Sequence, residues 1–195
     1  MQRSKTARIV RCGRCRMHAS RCLCDELPRL ATRTRVVLVL HAAEDRKSTN
    51  TGRLATSCLA NAEVVLRGRQ DADEGRIAIE PGRRGVVLFP DDDAAPIASL
   101  RESAEPITLV VPDGTWRQAS RARRRTPGLA ELPSVSLPAG RASGYRLRTA
   151  AHEGQLATME AIARALGVLE GAEVEEALAR VFRTMVERSV AARGR

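Results

Sequence analysis

Aromatic side chains are almost missing from this chain. Of its 195 residues, only Phe89, Trp116, Tyr145 and Phe182 are Phe, Trp or Tyr. The core must therefore be aliphatic, and a wide aromatic platform for stacking runs of single-stranded bases, as in RRM or OB-fold proteins, is not expected. No apolar run approaches the length of a membrane span. The basic N-terminus has no apolar stretch behind it, so no secretory signal is expected. There is also no G-x-G-x-x-G, no G-x-x-x-x-G-K-[ST] and no G-x-S-x-G, which sets aside the usual dinucleotide, P-loop and serine-hydrolase readings. Internal repeats and low-complexity linkers are absent. The expected setting is the cytoplasm, without a membrane partner, where cysteines bind metal or do chemistry rather than form disulfides.

Charge is present in excess. The formal net charge is +10, and nearly all of the 33 basic residues are arginine. The excess is local: residues 1–41 hold ten Arg or Lys against only Asp25 and Glu26, whereas residues 71–105 are acidic on balance. A localised basic field points to a polyanionic partner, most simply a nucleic acid. Arginine-heavy usage also follows from a GC-rich coding sequence, which is the competing explanation.

Cysteine is concentrated at one end. Cys12, Cys15, Cys22 and Cys24 form C-x2-C-x6-C-x-C in a segment poor in core residues. Four thiolates so close together suit tetrahedral zinc, and a full S4 site is structural rather than catalytic. Such a segment has no core of its own, so the metal would supply its folding energy. His18 lies inside the loop and could replace one ligand. Cys58 stands alone in an apolar helical pattern and reads as packing. A boundary falls near residue 30, with a basic tail and zinc module in 1–30 and an α/β body in 31–195.

In that body strands and helices alternate. Arg35–His41, Ala62–Leu66, Gly85–Pro90, Ile107–Val111 and Ser134–Leu137 read as strands. Helices are expected over Leu54–Asn61, after Trp116, over Gln155–Leu166 ending at Gly167, and from Glu173 to about Ala192. Continuous apolar strands imply a mainly parallel sheet with helices on both faces. Ligands in such sheets bind beyond the carboxyl ends of the strands. Three unusual stretches fall there: His41 to Arg53, Asp113-Gly114-Thr115-Trp116, and Arg141 to Arg148. The last belongs to a twelve-residue loop, long for a mere connection.

Each stretch also has a structural reading. Asn50 or Thr51 can cap the helix that follows, and Asp113 or Thr115 can cap the next one. His41 can be a strand-end histidine satisfied by backbone, and Trp116 can be core. Asp91-Asp92-Asp93 reads as a solvated loop, or as the cap of a helix starting near Pro96, rather than as a magnesium site. Arg117, Arg121 and Arg124, four and three residues apart, share a helix face that could track phosphates, with Arg125 at its end.

Taken in order, these pieces resemble the DTW-domain family: the cluster Cys12/Cys15/Cys22/Cys24; His41 with Glu44; Asn50-Thr51-Gly52-Arg53-Leu54; Asp113-Gly114-Thr115-Trp116 with Gln118-Ala119; Tyr145-Arg146-Leu147-Arg148; and Leu156 with Thr158-Met159-Glu160-Ala161. They span Cys12 to about Leu166. Two features depart from the family pattern. His41-Ala42-Ala43-Glu44 stands where His-Pro-x-Glu is expected, and the last helix carries no family motif. The resemblance implies a tRNA-uridine aminocarboxypropyltransferase, which moves the 3-amino-3-carboxypropyl group of S-adenosylmethionine to N3 of a tRNA uridine and releases methylthioadenosine. It also implies a fold related to the SPOUT methyltransferases, with a trefoil knot near the C-terminus, an exception to ordinary connectivity.

In that chemistry N3 must lose a proton, and Asp113 is the first candidate base, with His41 next. Arg53 or Arg146 could hold the donor's carboxylate, helped by the helix N-terminus after Asn50, Thr51 and Gly52. Main-chain groups of Gly114, Thr115 and Trp116, with the loop at Tyr145, would hold its adenosine end, and the Trp116 ring, if not core, could stack on a base. The zinc module and Arg117, Arg121, Arg124 and Arg125 would position tRNA through phosphates. Two rivals remain: a SPOUT-like S-adenosylmethionine-dependent RNA methyltransferase, and a non-enzymatic zinc-containing RNA-binding module.

Overall fold

Runs of Val, Leu and Ile set the strands, because branched side chains pack well on a pleated surface. The computed structural model describes residues 10–45, 47, 50–68, 76–140, 143–145 and 156–193. Its strands are β1 (Arg35–His41), β2 (Ala62–Arg67), β3 (Arg84–Leu88), β4 (Ala95–Pro96), β5 (Ile107–Asp113) and β6 (Ser134–Ser136). The helices are α1 (Ala42–Asp45), α2 (Thr51–Ser57), α3 (Trp116–Arg125), α4 (Thr158–Glu170) and α5 (Ala172–Arg193). The strands form one sheet in the order β2-β1-β5-β3-β6-β4. All of its pairings are parallel, so every strand ends at the same edge.

Alternate strand residues point to opposite faces, and the core divides accordingly. Val36, Leu38, Leu40, Leu109 and Val111 join Leu54 of α2, Ile162 and Leu166 of α4, and Leu178 and Met185 of α5 in the larger cluster. Val37, Val39, Val87 and Val110 face the other way, against Phe89, Ala119 of α3 and Leu129. Helices therefore cover both faces. Cys15, Met17 and Leu23 are buried within the larger cluster, so the cysteine segment rests on the α2/α4/α5 face. Polar ties secure it there: Arg14 donates to the Ser57 carbonyl at 3.3 Å, and Arg188 of α5 donates to the Cys22 carbonyl at 2.7 Å.

Several boundaries differ from the sequence expectation. β5 runs on through Pro112 and Asp113. Its pairing with β3 stops at Val87 opposite Val110, so Pro112 lies where one side of the strand has no ladder to break. α2 begins at Thr51 and ends at Ser57, after which the chain extends to bridge Leu59 with Leu30. α4 does not stop at Gly167; a Cβ there would come 2.1 Å from Glu175 Oε2 of α5. Gly167 is thus a close-approach residue, and the stop comes at Gly171, whose φ of 118° suits glycine. β4 was not expected, since two residues carry no periodic signal. The connection between β6 and α4 includes residues 146–155, which lie outside the described residues. Among the described residues no helix is long and apolar enough to cross a membrane.

Candidate active site at the carboxyl edge of the sheet

The carboxylate of Asp113 joins three segments distant in sequence. Its Oδ2 accepts from Asn50 Nδ2 at 2.8 Å, and its Oδ1 accepts from Thr158 Oγ at 2.6 Å. Asn50 uses its other end to cap α2, accepting from Arg53 N–H at 2.8 Å. Thr51 Oγ accepts from Met159 N–H at 3.3 Å, a second tie between α2 and α4. Gly52 makes the approach possible, because a Cβ there would lie 2.6 Å from Asp113 Oδ2. Asn50, Thr51 and Gly52 thus hold the loop after β1 against β5 and α4. Asp113 is only 7% exposed. Burial raises its pKa above the ordinary carboxylate value, as does the nearby Glu44 charge, against opposing bonds from Thr158, Asn50 and the Gly114 N–H. A carboxylate offers about four acceptor sites, and these three donors leave room for one more proton.

His41 and Asp113 do not converge. Leu40 pairs with Asp113 across β1 and β5 and belongs to the α2/α4 face; strand alternation then turns His41 to the opposite face. Its Nδ1 accepts from Ala43 N–H at 3.2 Å. The ring lies against Gly68, where a Cβ would come 2.7 Å from Nε2. The expectation that the two groups serve one point is corrected by this alternation.

Arg53 projects from α2 and donates Nε to Asp45 Oδ1 at 2.7 Å. The second oxygen of Asp45 lies 3.6 Å from Arg16 of the cysteine segment. Held by Nε alone, the Arg53 guanidinium keeps its two terminal nitrogens without partners among the described residues. Arg146, the other expected cation, lies outside the described residues, as do Arg141, Leu147 and Arg148. Within its loop, Tyr145 is buried with its ring 5.7 Å from that of Phe182. Ser143 Oγ and the Gly144 N–H donate to Glu160, which also accepts from Ala157 N–H at 2.8 Å. Glu160 thus fixes the loop two residues from Thr158. Neither Thr158 nor Glu160 was picked out as a site residue from the sequence, although both stand in the last family motif.

The turn after Asp113 reverses the local character. Gly114 has φ 146°. Thr115 caps α3, and its capping box with Gln118 is complete: Gln118 N–H donates to Thr115 Oγ at 3.3 Å, and Thr115 N–H donates to Gln118 Oε1 at 2.7 Å. Trp116, for which a core position was the competing expectation, is instead 57% exposed. One of its faces stacks on Phe89, with ring centroids 5.2 Å apart and an interplanar angle of 21°. Arg117, Arg121, Arg124 and Arg125 are exposed along α3. Arg123 is not among them: it donates to Asp91 at 2.9 Å and to the carbonyls of Leu129, Ala130 and Leu132. Asp91 is therefore an anchor for this turn rather than a helix cap or a metal ligand. Burial by itself would raise its pKa, but the bonds from Ser134 and Arg123, with the Arg123 and Arg124 charges, together lower it.

The four cysteines fit a metal ion. Their sulfurs all lie within 4.8 Å of one another, with Cys12 and Cys24 at 3.4 Å and Cys15 and Cys22 at 3.7 Å. Tetrahedral sulfurs at zinc-type bond lengths of about 2.3 Å sit about 3.8 Å apart. The backbone N–H groups of Cys15 and Arg14 hold the Cys12 thiol down at about 6, whereas burial pushes Cys24 up to about 12. One ligand is near its thiolate form, and a metal would displace protons from the rest.

Comparison with known proteins points one way. The DTW domain model matches residues 9–190. The chain is 34% identical over 185 residues to tRNA-uridine aminocarboxypropyltransferase 2 of Drosophila melanogaster, covering 90% of this chain and 73% of that one. It is 29% identical over 209 residues to tRNA-uridine aminocarboxypropyltransferase A of Arabidopsis thaliana, with 90% and 79% covered. A tRNA-uridine aminocarboxypropyltransferase 2 of Mus musculus is 30% identical over 168 residues, and there the match spans 56% of the relative's length.

Proposed function

The chain belongs to the DTW-domain family, and on that premise we propose that it transfers the 3-amino-3-carboxypropyl group of S-adenosylmethionine to N3 of a uridine in tRNA. The observation that carries this reading is the convergence of the family's separated motifs on Asp113: Asn50 from the loop after β1 and Thr158 from α4 both donate to its carboxylate.

Asp113 takes the N3 proton. The freed N3 lone pair forms a bond to the donor's terminal methylene as the carbon–sulfur bond breaks, and its electrons leave on sulfur as methylthioadenosine. The sulfonium makes the leaving group good, so catalysis rests mainly on orientation. Asn50 and Thr158 supply that orientation by fixing both oxygens of the base. The free end of Arg53, aimed by Asp45, holds the donor's carboxylate as a two-toothed fork. Glu160 holds the loop at Ser143 and Gly144, where Tyr145 and Arg146 would meet the adenosine end. His41, on the opposite face with its ring against Gly68, has no part in this proton transfer.

In this reading residues 1–30 form a zinc module docked on the catalytic body of 31–195. Cys12, Cys15, Cys22 and Cys24 hold a structural Zn2+ that fixes Arg16 beside Asp45. The exposed arginines of α3 meet tRNA phosphates, and such binding weakens steeply with salt. A cytoplasmic location accords with thiols kept reduced for the metal.

The test is mass spectrometry of nucleosides from tRNA incubated with the protein and S-adenosylmethionine. Aminocarboxypropyl-uridine with methylthioadenosine is the expected pair. A methylated nucleoside with S-adenosylhomocysteine, or no change in the RNA, overturns the reading.

A further inference from the structure

A chain with four Phe, Trp and Tyr residues buries three of them and leaves the fourth largely in water. Phe89, Tyr145 and Phe182 are all under 10% exposed, whereas Trp116 is 57% exposed. Its position is not loose, because one face rests on Phe89 at stacking distance and its backbone opens a helix capped by Thr115 and Gln118. A flat, rigid, half-covered indole presents its other face to solvent.

The surroundings say what that face meets. Trp116, Ser120 and Arg124 follow at four-residue spacing, so the ring borders the stripe of Arg117, Arg121 and Arg124. Among the described residues Arg117, Arg121 and Arg125 have no acidic partner, and Arg124 reaches only the Ser120 hydroxyl and the field of Asp91. The stripe rises roughly 10 Å along the helix, enough to follow the backbone of a few nucleotides. A base stacked at its head, with phosphates along it, uses both features at once. The donor does not fit as well here. Asp113 and the free end of Arg53 belong to the α2/α4 side of the sheet, whereas Phe89 and α3 belong to the other.

We propose that Trp116 is a stacking platform for one unpaired base of the RNA substrate, extending the Phe89–Trp116 stack by a third ring. The inference rests on RNA being the substrate, and it moves Trp116 from the donor's site, where the sequence placed it, to the RNA. The base must be unpaired, because a paired one has its faces covered by its neighbours. One platform suits recognition of a single flipped or loop nucleotide, such as one beside the modified uridine.

Trp116 is the only tryptophan in the chain, so intrinsic fluorescence reports on this ring alone. A short mixed-sequence single-stranded RNA should quench it in a saturable titration. The same length of duplex RNA, inorganic polyphosphate and methylthioadenosine should not. Trp116→Ala should weaken binding of the single strand by roughly tenfold, the scale of losing one base–aromatic stack, and Trp116→Phe should restore most of it. In the transfer reaction the same loss should appear in the KM for tRNA, with the KM for S-adenosylmethionine unchanged. Saturable quenching by methylthioadenosine with none by RNA would overturn the proposal, and so would RNA affinity unchanged in Trp116→Ala. Either result leaves the transferase reading standing if the modified nucleoside still forms. Absence of that nucleoside with quenching intact would remove the transferase reading and keep the RNA platform.

Discussion

Two sides of one sheet edge are built in opposite ways. On the α2/α4 side, Asn50, Thr51, Gly52, Asp113 and Thr158 are packed together, and their polar atoms are tied to one another. On the α3 side, three residues along the same turn, Trp116 and then Arg117, Arg121, Arg124 and Arg125 stand in solvent. In the proposed function the difference tracks the demands of the two ligands. A small donor must be held to fractions of an ångström for an in-line displacement, and only groups with locked partners can do that. A large polyanion is gathered by many solvated charges, each contributing little and none needing exact placement. One turn, Asp113-Gly114-Thr115-Trp116, joins the two sides, with Gly114 at φ 146° between Asp113 and α3.

The widest separation of the two sides should come from the metal. Among the described residues the cysteine segment packs into the α2/α4/α5 cluster and not into the cluster under α3. Removing the ion by chelation should therefore destabilise that face, by on the order of 4 kcal/mol or more, beyond most point substitutions. Donor binding should be lost with it, while Trp116 emission stays native at temperatures below the transition. Simultaneous loss of both signals would show that the two sides unfold as one unit.

Next in size is a donor–acceptor exchange at the lock. Asp113→Asn sets an amide N–H against one of three donors and should cost about 1–3 kcal/mol of stability. It should also reduce transfer by about 100-fold or more, the usual contribution of a general base. Combining it with Asn50→Asp reverses the pair: the new carboxylate at 50 still caps α2 while accepting from the new amide at 113. Stability and donor affinity should return, and transfer should stay lost. Near-normal transfer in Asp113→Asn alone would show that Asp113 only positions its neighbours and is not the base.

On the open side, Arg121→Gln with Arg124→Gln should lower the slope of log affinity against log salt by about 1.4 to 1.8, two phosphate contacts' worth. Donor affinity should be untouched. A fall in donor affinity would place these arginines in the donor site and dissolve the distinction between the sides.

The smallest effect is in pH, and the two carboxylates have opposite signs. Asp113 binds its proton more tightly when folded, so its ionisation costs stability as pH rises from the ordinary carboxylate value to its raised one. Asp91, lowered in the fold, contributes stability above the ordinary value and loses it as pH falls toward its depressed one. Denaturation midpoints of Asp91→Asn should be flatter than those of the parent on the acid side. Transfer should show an acid limb above the ordinary carboxylate range, set by Asp113.

Much of the scaffold could be read from residue patterns. Arg35–His41 was placed to the residue, because a continuous apolar run has one stable environment. Asn50 and Thr51 are both legible as caps of α2, because the chemistry of a cap is local, and Asn50 is the one that caps. Its second bond, to Asp113, is sixty-three residues away in sequence and leaves no local trace. Gly167 looked like a helix stop because glycine usually is one; only the contact with Glu175 of α5 shows why the helix runs past it. Trp116 was ambiguous because a large apolar ring is most often buried, and its spacing carried no sign of the open water above it.

The sequence by itself determined five of the six strands and the longer helices between them, the cysteine spacing that fits a metal, and the residue pairs from which α2 and α3 draw their caps, since each depends on residues within a turn or two of one another. The tertiary structure alone decided which side of the sheet each strand-end group serves. That choice depends on where β5 ends beside β1 and on the parity of each residue within its strand. Asp113 therefore shares a face with Asn50 and Thr158, while His41, one residue past Asp113's partner Leu40, points away.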